Sequence, residues 1–235
     1  IDQIWTLQEI TCARRSAGQP SFLAFLDVKK AYDRVWRPGL LYKLQSMGLH
    51  GRMLEMLKSM LERSVRRVAV QGSISDPFVT VIGLPQGAIL SPLLYAIYIN
   101  GLAEELRQLG LGMMVFGRRV SVLLYADDIV LLAESAEDLQ SMLDCAQAYA
   151  MKWRFRFNSS AGKSDVVIID PSGSSINPPT FRLGPATLGV ATEYRYLGVG
   201  FGSPSSWKAY LQRVCTGQDP DAGDHLQCRR PRPSA

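Results

Sequence analysis

The 235-residue sequence has no apolar run long enough to cross a bilayer: the longest, 88–99, is broken by Ser91 and Pro92 and falls short of the roughly 18 residues a span needs. Cysteine is scarce, with four residues at 12, 145, 215 and 228 and no C-x-x-C pair, which excludes a disulfide framework and reads as a reduced, intracellular chain. The late trio Cys215, His225 and Cys228 offers three candidate zinc ligands at an unfamiliar spacing, too little for a zinc assignment. The opening Ile1-Asp2-Gln3 lacks an initiator Met, a basic leader and a cleavage site, so the sequence reads as a piece of something longer. Neither disorder nor a fibrous repeat fits 47% hydrophobic and 20% charged residues. The net charge of +5 leans only weakly toward an anionic partner such as nucleic acid.

What is present is a mixture of short strands and amphipathic helices. Residues 21–28 (SFLAFLDV) form a nearly unbroken apolar run ending in a carboxylate, the pattern of a strand buried on both faces with Asp27 near its C-terminal end. A helix beginning at Pro38 and stopping at Gly48 follows, then a helical stripe of Met53, Leu54, Leu57, Met60 and Leu61. Residues 65–70 and 78–82, separated by Gln71-Gly72-Ser73, predict a hairpin. Ser91 as cap and Pro92 at the first helical position start a helix that runs to Gly110.

Two apolar runs, 120–124 and 129–132, flank Tyr125-Ala126-Asp127-Asp128, which predicts strand, acidic turn, strand. Ser135 with Asp138 resembles a capping box, and Leu139, Met142, Leu143, Ala146, Tyr149 and Trp153 repeat at helical spacing. A strand over 165–169, a loop over 171–179 and one further strand over 194–201 complete the reading. The class is α+β, an antiparallel sheet with helices packed on one face.

Asp27 closes one strand and Asp127 and Asp128 occupy a hairpin tip, a concentration of carboxylates on strand ends found nowhere else in the chain. Such hard oxygen donors suit magnesium, and a pair of ions about 3.5–4 Å apart stabilises both attacking and leaving oxygens of a phosphoryl transfer. The plainer reading is that Asp-Asp simply turns the hairpin.

Five segments decide between these readings: FLDVKKAYDRV at 25–35, GLPQGAILSPLLYAIYIN at 83–100, YADDIVLL at 125–132, GKSDVVII at 162–169 and YRYLGV at 194–199. In this order they resemble the reverse transcriptase family, specifically the non-LTR retrotransposon (LINE-type) branch, over about residues 1–200. The resemblance implies the palm of a right-hand polymerase, two Mg2+ ions (Mn2+ as a substitute), and RNA template, DNA primer and dNTPs as partners, with no membrane. It makes Asp27 and Asp127 the metal-binding carboxylates with Asp128 beside them, and the Val28 carbonyl a further ligand. Tyr32 would be the plate beneath the sugar that collides with a 2′-hydroxyl, or a core aromatic. Gln86 would contact the incoming nucleotide, with Gly87 allowing close backbone approach; the alternative is a simple loop. Lys163 would serve departing pyrophosphate, or be an ordinary solvent lysine. Tyr196, Leu197 and Gly198 match the segment supporting the primer end. Arg63, Arg66 and Arg67, the Arg118-Arg119 pair, and Lys152, Arg154 and Arg156 between Trp153, Phe155 and Phe157 could meet phosphates or be solvated faces. The family also implies a nuclear location.

The resemblance covers a palm with a remnant of fingers over 1–201. Residues 202–235 read as the start of a truncated thumb, around 206–214, followed by a disordered tail over 215–235 that a frame change could have introduced. A catalytically inactive remnant that at most binds nucleic acid is the alternative reading.

Overall fold

The computed structural model describes residues 2–62, 64–115, 117–171 and 179–202. The expectations for Arg63, most of the 171–179 loop, the thumb start, the tail and the Cys215, His225, Cys228 trio lie outside those residues. In chain order the elements are α1 (Asp2–Ser16), β1 (Ser21–Asp27), a 3-10 turn (Tyr32–Arg34), α2 (Arg37–Ser46) and α3 (Gly51–Glu62). The short strands β2 (Val65–Arg66), β3 (Ala69–Val70), β4 (Ser73–Ile74) and β5 (Phe78–Val79) precede α4 (Ser91–Gln108). Then come β6 (Met113–Val115), β7 (Arg118–Val120), β8 (Val122–Tyr125), β9 (Asp128–Ala133) and α5 (Ala136–Lys152). The last elements are β10 (Asp165–Ile169), β11 (Phe181–Leu183), β12 (Ala186–Ala191), β13 (Glu193–Tyr196) and β14 (Val199–Gly202).

Six strands form the central sheet in the order β11-β12-β10-β1-β9-β8. β1, apolar on both faces as its sequence requires, lies in the middle and pairs antiparallel with β9 and β10. Strand alternation sorts its side chains between two cores. Ala24, Leu26 and Val28 join Ile129 and Leu131 beneath α2, α3, α4 and α5. Leu23 and Phe25 join Val130 and Leu132 on the opposite face, which is covered by Leu7 and Ile10 of α1 and by Tyr196, Val199 and Phe201.

The α+β class thus stands, with local differences from the sequence reading. The sheet is antiparallel except for β10 and β12, which run parallel. Helices cover one face, but α1 packs on the other, where the Arg14 guanidinium bonds Glu134 at 2.7 Å and the Pro20 carbonyl. The single strand expected over 194–201 is a hairpin, β13 and β14, folded at Leu197 (φ 49°) and Gly198 (φ 86°). Two successive positive φ values are the signature of a type I′ turn, whose twist suits a tight hairpin. The hairpin over 65–82 forms in two tiers, β2 with β5 and β3 with β4.

The α5 cap is as expected, with Ser135 Oγ accepting the Asp138 N–H at 3.0 Å. The α4 cap is not: Leu90 is the N-cap, and Ser91 lies inside the first turn, donating its hydroxyl to the Pro85 carbonyl at 2.6 Å. That bond fastens the preceding loop to the helix. Among the described residues, no helix is long and apolar enough to cross a membrane.

Candidate active site

The acidic residues meet at one end of the central sheet. Tyr125 and Asp128 close the β8–β9 hairpin as a pair, leaving Ala126 and Asp127 as its two-residue turn. Ala126 has φ 53°, a left-handed conformation that costs a residue with a Cβ about 1–2 kcal/mol. On the other side of β9, Asp128 is the registered partner of Asp27. Directly opposed residues on neighbouring strands share a face with Cβ atoms about 4.5–5.5 Å apart, so the register sets two carboxylates side by side with a third in the adjoining turn.

Asp128 feels the charge of the other two. Partial burial, then the charges of Asp127 and Asp27, raise the Asp128 carboxyl above the ordinary carboxylate range, with Lys163 opposing. Tyr95 is buried beside this cluster, and burial followed by the Asp127 charge lifts its phenol well above the ordinary value. Tyr194 is pushed up to about 12 by burial first, then by Asp128 and Asp27.

Asp27 is held by residues outside the sequence-predicted set. Its carboxylate accepts from Asn158 Nδ2 at 3.0 Å, its carbonyl from the Asn158 N–H at 2.8 Å, and its N–H donates to Ser164 Oγ at 3.1 Å. Val28 is buried and bridges antiparallel to Phe157. The 155–158 segment therefore splints the end of β1 just where the carboxylate must be aimed. Nothing in the spacing of Asn158 or Ser164 announces this, since the contacts span 131 and 137 residues.

The loop after β5 is built onto the same end. Leu84 N–H donates to the Tyr32 carbonyl at 2.7 Å and Gly83 N–H to the Val35 carbonyl at 2.9 Å. Gly83 has φ 79°, and a Cβ there would lie 2.7 Å from the Asp33 carbonyl oxygen, so both conformation and space demand glycine. Gln86 is exposed, its amide 3.3 Å from Asp33 Oδ1. Gly87 has φ 84° with open space around it, a site where a ligand can approach the backbone. Tyr32 is half-buried and stacks on Tyr95, ring centroids 5.0 Å apart, so it is packed on the core and also borders the site.

Arg37, unnoticed in the sequence, is the clamp behind this loop. Its buried guanidinium donates to the Gly83 carbonyl at 2.8 Å and to the carbonyls of Leu61 and Thr80. Burial, with Arg66 nearby, lowers its proton affinity, yet three carbonyl acceptors hold it.

Lys163 is exposed and close enough to Asp128 to lower its proton affinity, and its carbonyl accepts the Tyr194 hydroxyl at 2.8 Å. Tyr194 stacks on Phe25 with centroids 4.4 Å apart, which seats the β13–β14 hairpin against β1. Within that hairpin, Tyr196 is turned into the core against Phe25 and Phe201, so its side chain props the hairpin rather than facing outward. Leu197 and Gly198 form the turn, and Gly198 is needed for its positive φ, since nothing lies within 4 Å of where a Cβ would be.

A family model for the reverse transcriptase (RNA-dependent DNA polymerase) matches residues 2–201. The chain belongs to the reverse transcriptase family. It is 34% identical over 181 residues to the RNA-directed DNA polymerase from mobile element jockey of Drosophila funebris, covering 74% of this chain and 19% of that protein. The jockey protein of Drosophila melanogaster is 31% identical over 197 residues, covering 81% of this chain and 20% of that protein. The reverse transcriptase chain thus spans about a fifth of these curated relatives. Its fold is similar to apo telomerase of Candida tropicalis, with TM-score 0.60 at 16% identity over 87% of this chain and 38% of that one. A Candida albicans telomerase gives 0.56 at 14% identity, over 90% and 37%.

Reverse transcriptases use divalent metal ions, and the donors fit one by chemistry: hard carboxylate oxygens, with Asp128 opposed by the charges of Asp127 and Asp27 that a cation would offset. Among the described residues no group of three or more His, Cys, Asp or Glu side chains closes into an ion cage by itself.

Proposed function

We propose that residues 1–201 form a partial reverse transcriptase domain of a non-LTR retrotransposon that joins dNTPs to a DNA primer on an RNA template. The observation that carries this reading is the register pairing of Asp27 with Asp128, with Asp127 in the adjoining turn. The alternative of a hairpin that merely turns does not account for three carboxylates held against their own repulsion at one sheet end.

Asp27, the Val28 carbonyl, Asp127 and Asp128 would hold two Mg2+ ions. The chemistry such ions would supply there is a lowered pKa for the primer 3′-hydroxyl and neutralised charge on the departing pyrophosphate. The chain's own part is positioning. Asn158 and Ser164 fix Asp27, while Arg37, Ser91 and the Tyr32 carbonyl fix the loop that offers Gln86 and the open backbone at Gly87 to a nucleotide. Tyr32, braced by Tyr95, would exclude a 2′-hydroxyl. Lys163, whose charge reaches Asp128, would share a proton or a charge-assisted bond with leaving phosphate oxygens. Leu197 and Gly198 at the hairpin turn would touch the primer, with Tyr196 beneath.

The test is primer extension on an RNA template by the element-length protein. Asp27→Asn or Asp127→Asn should lower extension by more than about 100-fold. Near-normal synthesis by either variant would sink the site assignment, whereas no synthesis by the wild-type protein would leave a remnant that at most binds nucleic acid as the better reading.

A further inference from the structure

A second constellation lies beside the acid site. After α5 the chain alternates: Phe155 and Phe157 are buried, whereas Arg154 and Arg156 are exposed. This segment pairs with the continuation of β1, Val28 bridging Phe157 and the Lys29 N–H donating to the Arg156 carbonyl at 2.9 Å. Lys29 and Arg156 are therefore opposed across the two strands, a like-charge placement that destabilises unless an anion lies between. Arg34, at the end of the 3-10 turn, and Arg154 bring to four the cations that line a cavity of about 760 Å³ whose lining includes no acidic residue. Among the described residues none of the four forms an ion pair, in contrast to Lys152, which pairs with Glu105 at 3.0 Å.

The cavity is formed rather than incidental. The Arg154 guanidinium sits 4.2 Å from the centre of the Trp36 ring, held by a cation–π contact, and its backbone adopts φ 59°. Met151, in the last turn of α5, also lines the cavity. A helix C-terminus contributes about half a negative charge, which four full cations outweigh. Ser159 adds a hydroxyl.

We propose that this cavity is a phosphate-binding groove that holds the phosphodiester backbone of a single-stranded RNA. The inference deepens the polymerase reading and rests on it. It assigns Arg154 and Arg156 to RNA while removing Lys152, their neighbour in the sequence, to a surface ion pair.

The experiment measures anisotropy of a short fluorescent single-stranded RNA with the full chain across a salt series. Arg154→Gln with Arg156→Gln should weaken binding about tenfold at low salt and reduce the log–log salt slope by about 1.4, at about 0.7 for each phosphate that is no longer neutralised. Arg52→Gln with Lys58→Gln, an equal charge loss on the exposed side of α3, should leave both unchanged. Far-UV circular dichroism and the melting midpoint establish that each variant is folded, and Arg154→Lys with Arg156→Lys should keep most of the slope. Inorganic tripolyphosphate serves as competitor. Retention of RNA at equal phosphate concentration supports a backbone groove, and ready displacement overturns it in favour of a nucleotide's triphosphate. RNA binding that the double glutamine variant leaves intact overturns the groove but not the polymerase reading, which extension by the Asp27 and Asp127 variants tests separately.

Discussion

Asp128→Asn should make the metal-free protein more stable while disabling it. In the folded chain Asp128 is half-buried beside Asp127 and opposite Asp27, and its carboxyl is raised above the value of about 3.9 for an unfolded aspartate. A raised acid binds more protons folded than unfolded between those two values. Its penalty is therefore absent below the unfolded pKa, grows as pH rises through the folded one and is fully present above it. Asparagine keeps the shape and removes the charge. Two unit charges about 5 Å apart interact by about 3 kcal/mol at an effective dielectric constant near 20. Solvent and the opposing Lys163 screen a half-exposed group, which reduces the net gain to about 1 kcal/mol.

For a chain of this size that gain corresponds to a rise of about 2–4 °C in Tm. Thermal melts of wild type and variant in chelator, at pH 7.5 and at pH 4 or below, are the assay. The variant should melt higher at pH 7.5, and the difference should shrink toward zero in acid. Magnesium added at pH 7.5 should raise the wild-type midpoint and do less for the variant, because binding to the folded state alone stabilises it. A variant that melts lower than wild type at pH 7.5 without metal, or by an equal offset at both pH values, would refute the argument that the carboxylates oppose one another.

Ala126→Gly should relieve the positive φ of the turn, gaining about 0.5–1 kcal/mol after the added freedom of the unfolded chain is deducted, as urea melts would read. Arg37→Met strands the carbonyls of Leu61, Thr80 and Gly83 and should cost about 3 kcal/mol, a fall of roughly 6–12 °C in Tm; an unchanged midpoint would show that the clamp is idle. Tyr32→Ala should raise the ratio of ribonucleotide to deoxyribonucleotide incorporated by the element-length protein, and an unchanged ratio would remove Tyr32 from sugar selection. Lys43, caged by Tyr98, Tyr149 and Trp153, has its pKa lowered to about 8, chiefly by burial. The folded state then binds fewer protons than the unfolded one between about 8 and 10.4, so this group should make stability rise with pH across that window, and Lys43→Met should abolish the rise.

The strand end carrying Asp27 and the hairpin turn carrying Asp127 were legible because alternation and turn chemistry are local: the apolar run over 21–28 and the two runs flanking Tyr125-Ala126-Asp127-Asp128 need no partner to be recognised. The pairing of Asp27 with Asp128 was not legible, since register is settled by which face each strand buries against the helices. Arg37 reads in sequence as an ordinary cation at a helix start, and only the convergence of segments ending at 61, 80 and 83 turns it into a clamp. α1 carries no amphipathic stripe; it is placed by Leu7, Ile10 and the Arg14–Glu134 pair, all of which depend on the opposite sheet face. Tyr196 stood out through its motif, but the same alternation that exposes Arg195 buries it.

The residues that carry the proposed chemistry and those that aim them are thus of different kinds. The carboxylates are few: Asp27 and Asp128 lie at the ends of strands, where backbone pairing fixes them to one face without the side chains having to attract one another, and Asp127 sits in the turn that joins β8 to β9. The groups that aim them, Asn158, Ser164, Arg37 and Ser91, all bond to backbone or to a carboxylate across long sequence separations or across the Pro85 loop. A repulsive cluster can persist only on such a frame, because the energy that opposes it is spread through the sheet ladder and the core rather than concentrated in the site. Weakening one splint should therefore move the carboxylate before it unfolds the domain. Asn158→Ala, which removes the bond to Asp27 Oδ2 but keeps the backbone bond to its carbonyl, should reduce primer extension by the element-length protein while leaving stability within about 1 kcal/mol of wild type. Equal losses of activity and of folded protein would mean that Asn158 holds the fold and does not aim the acid.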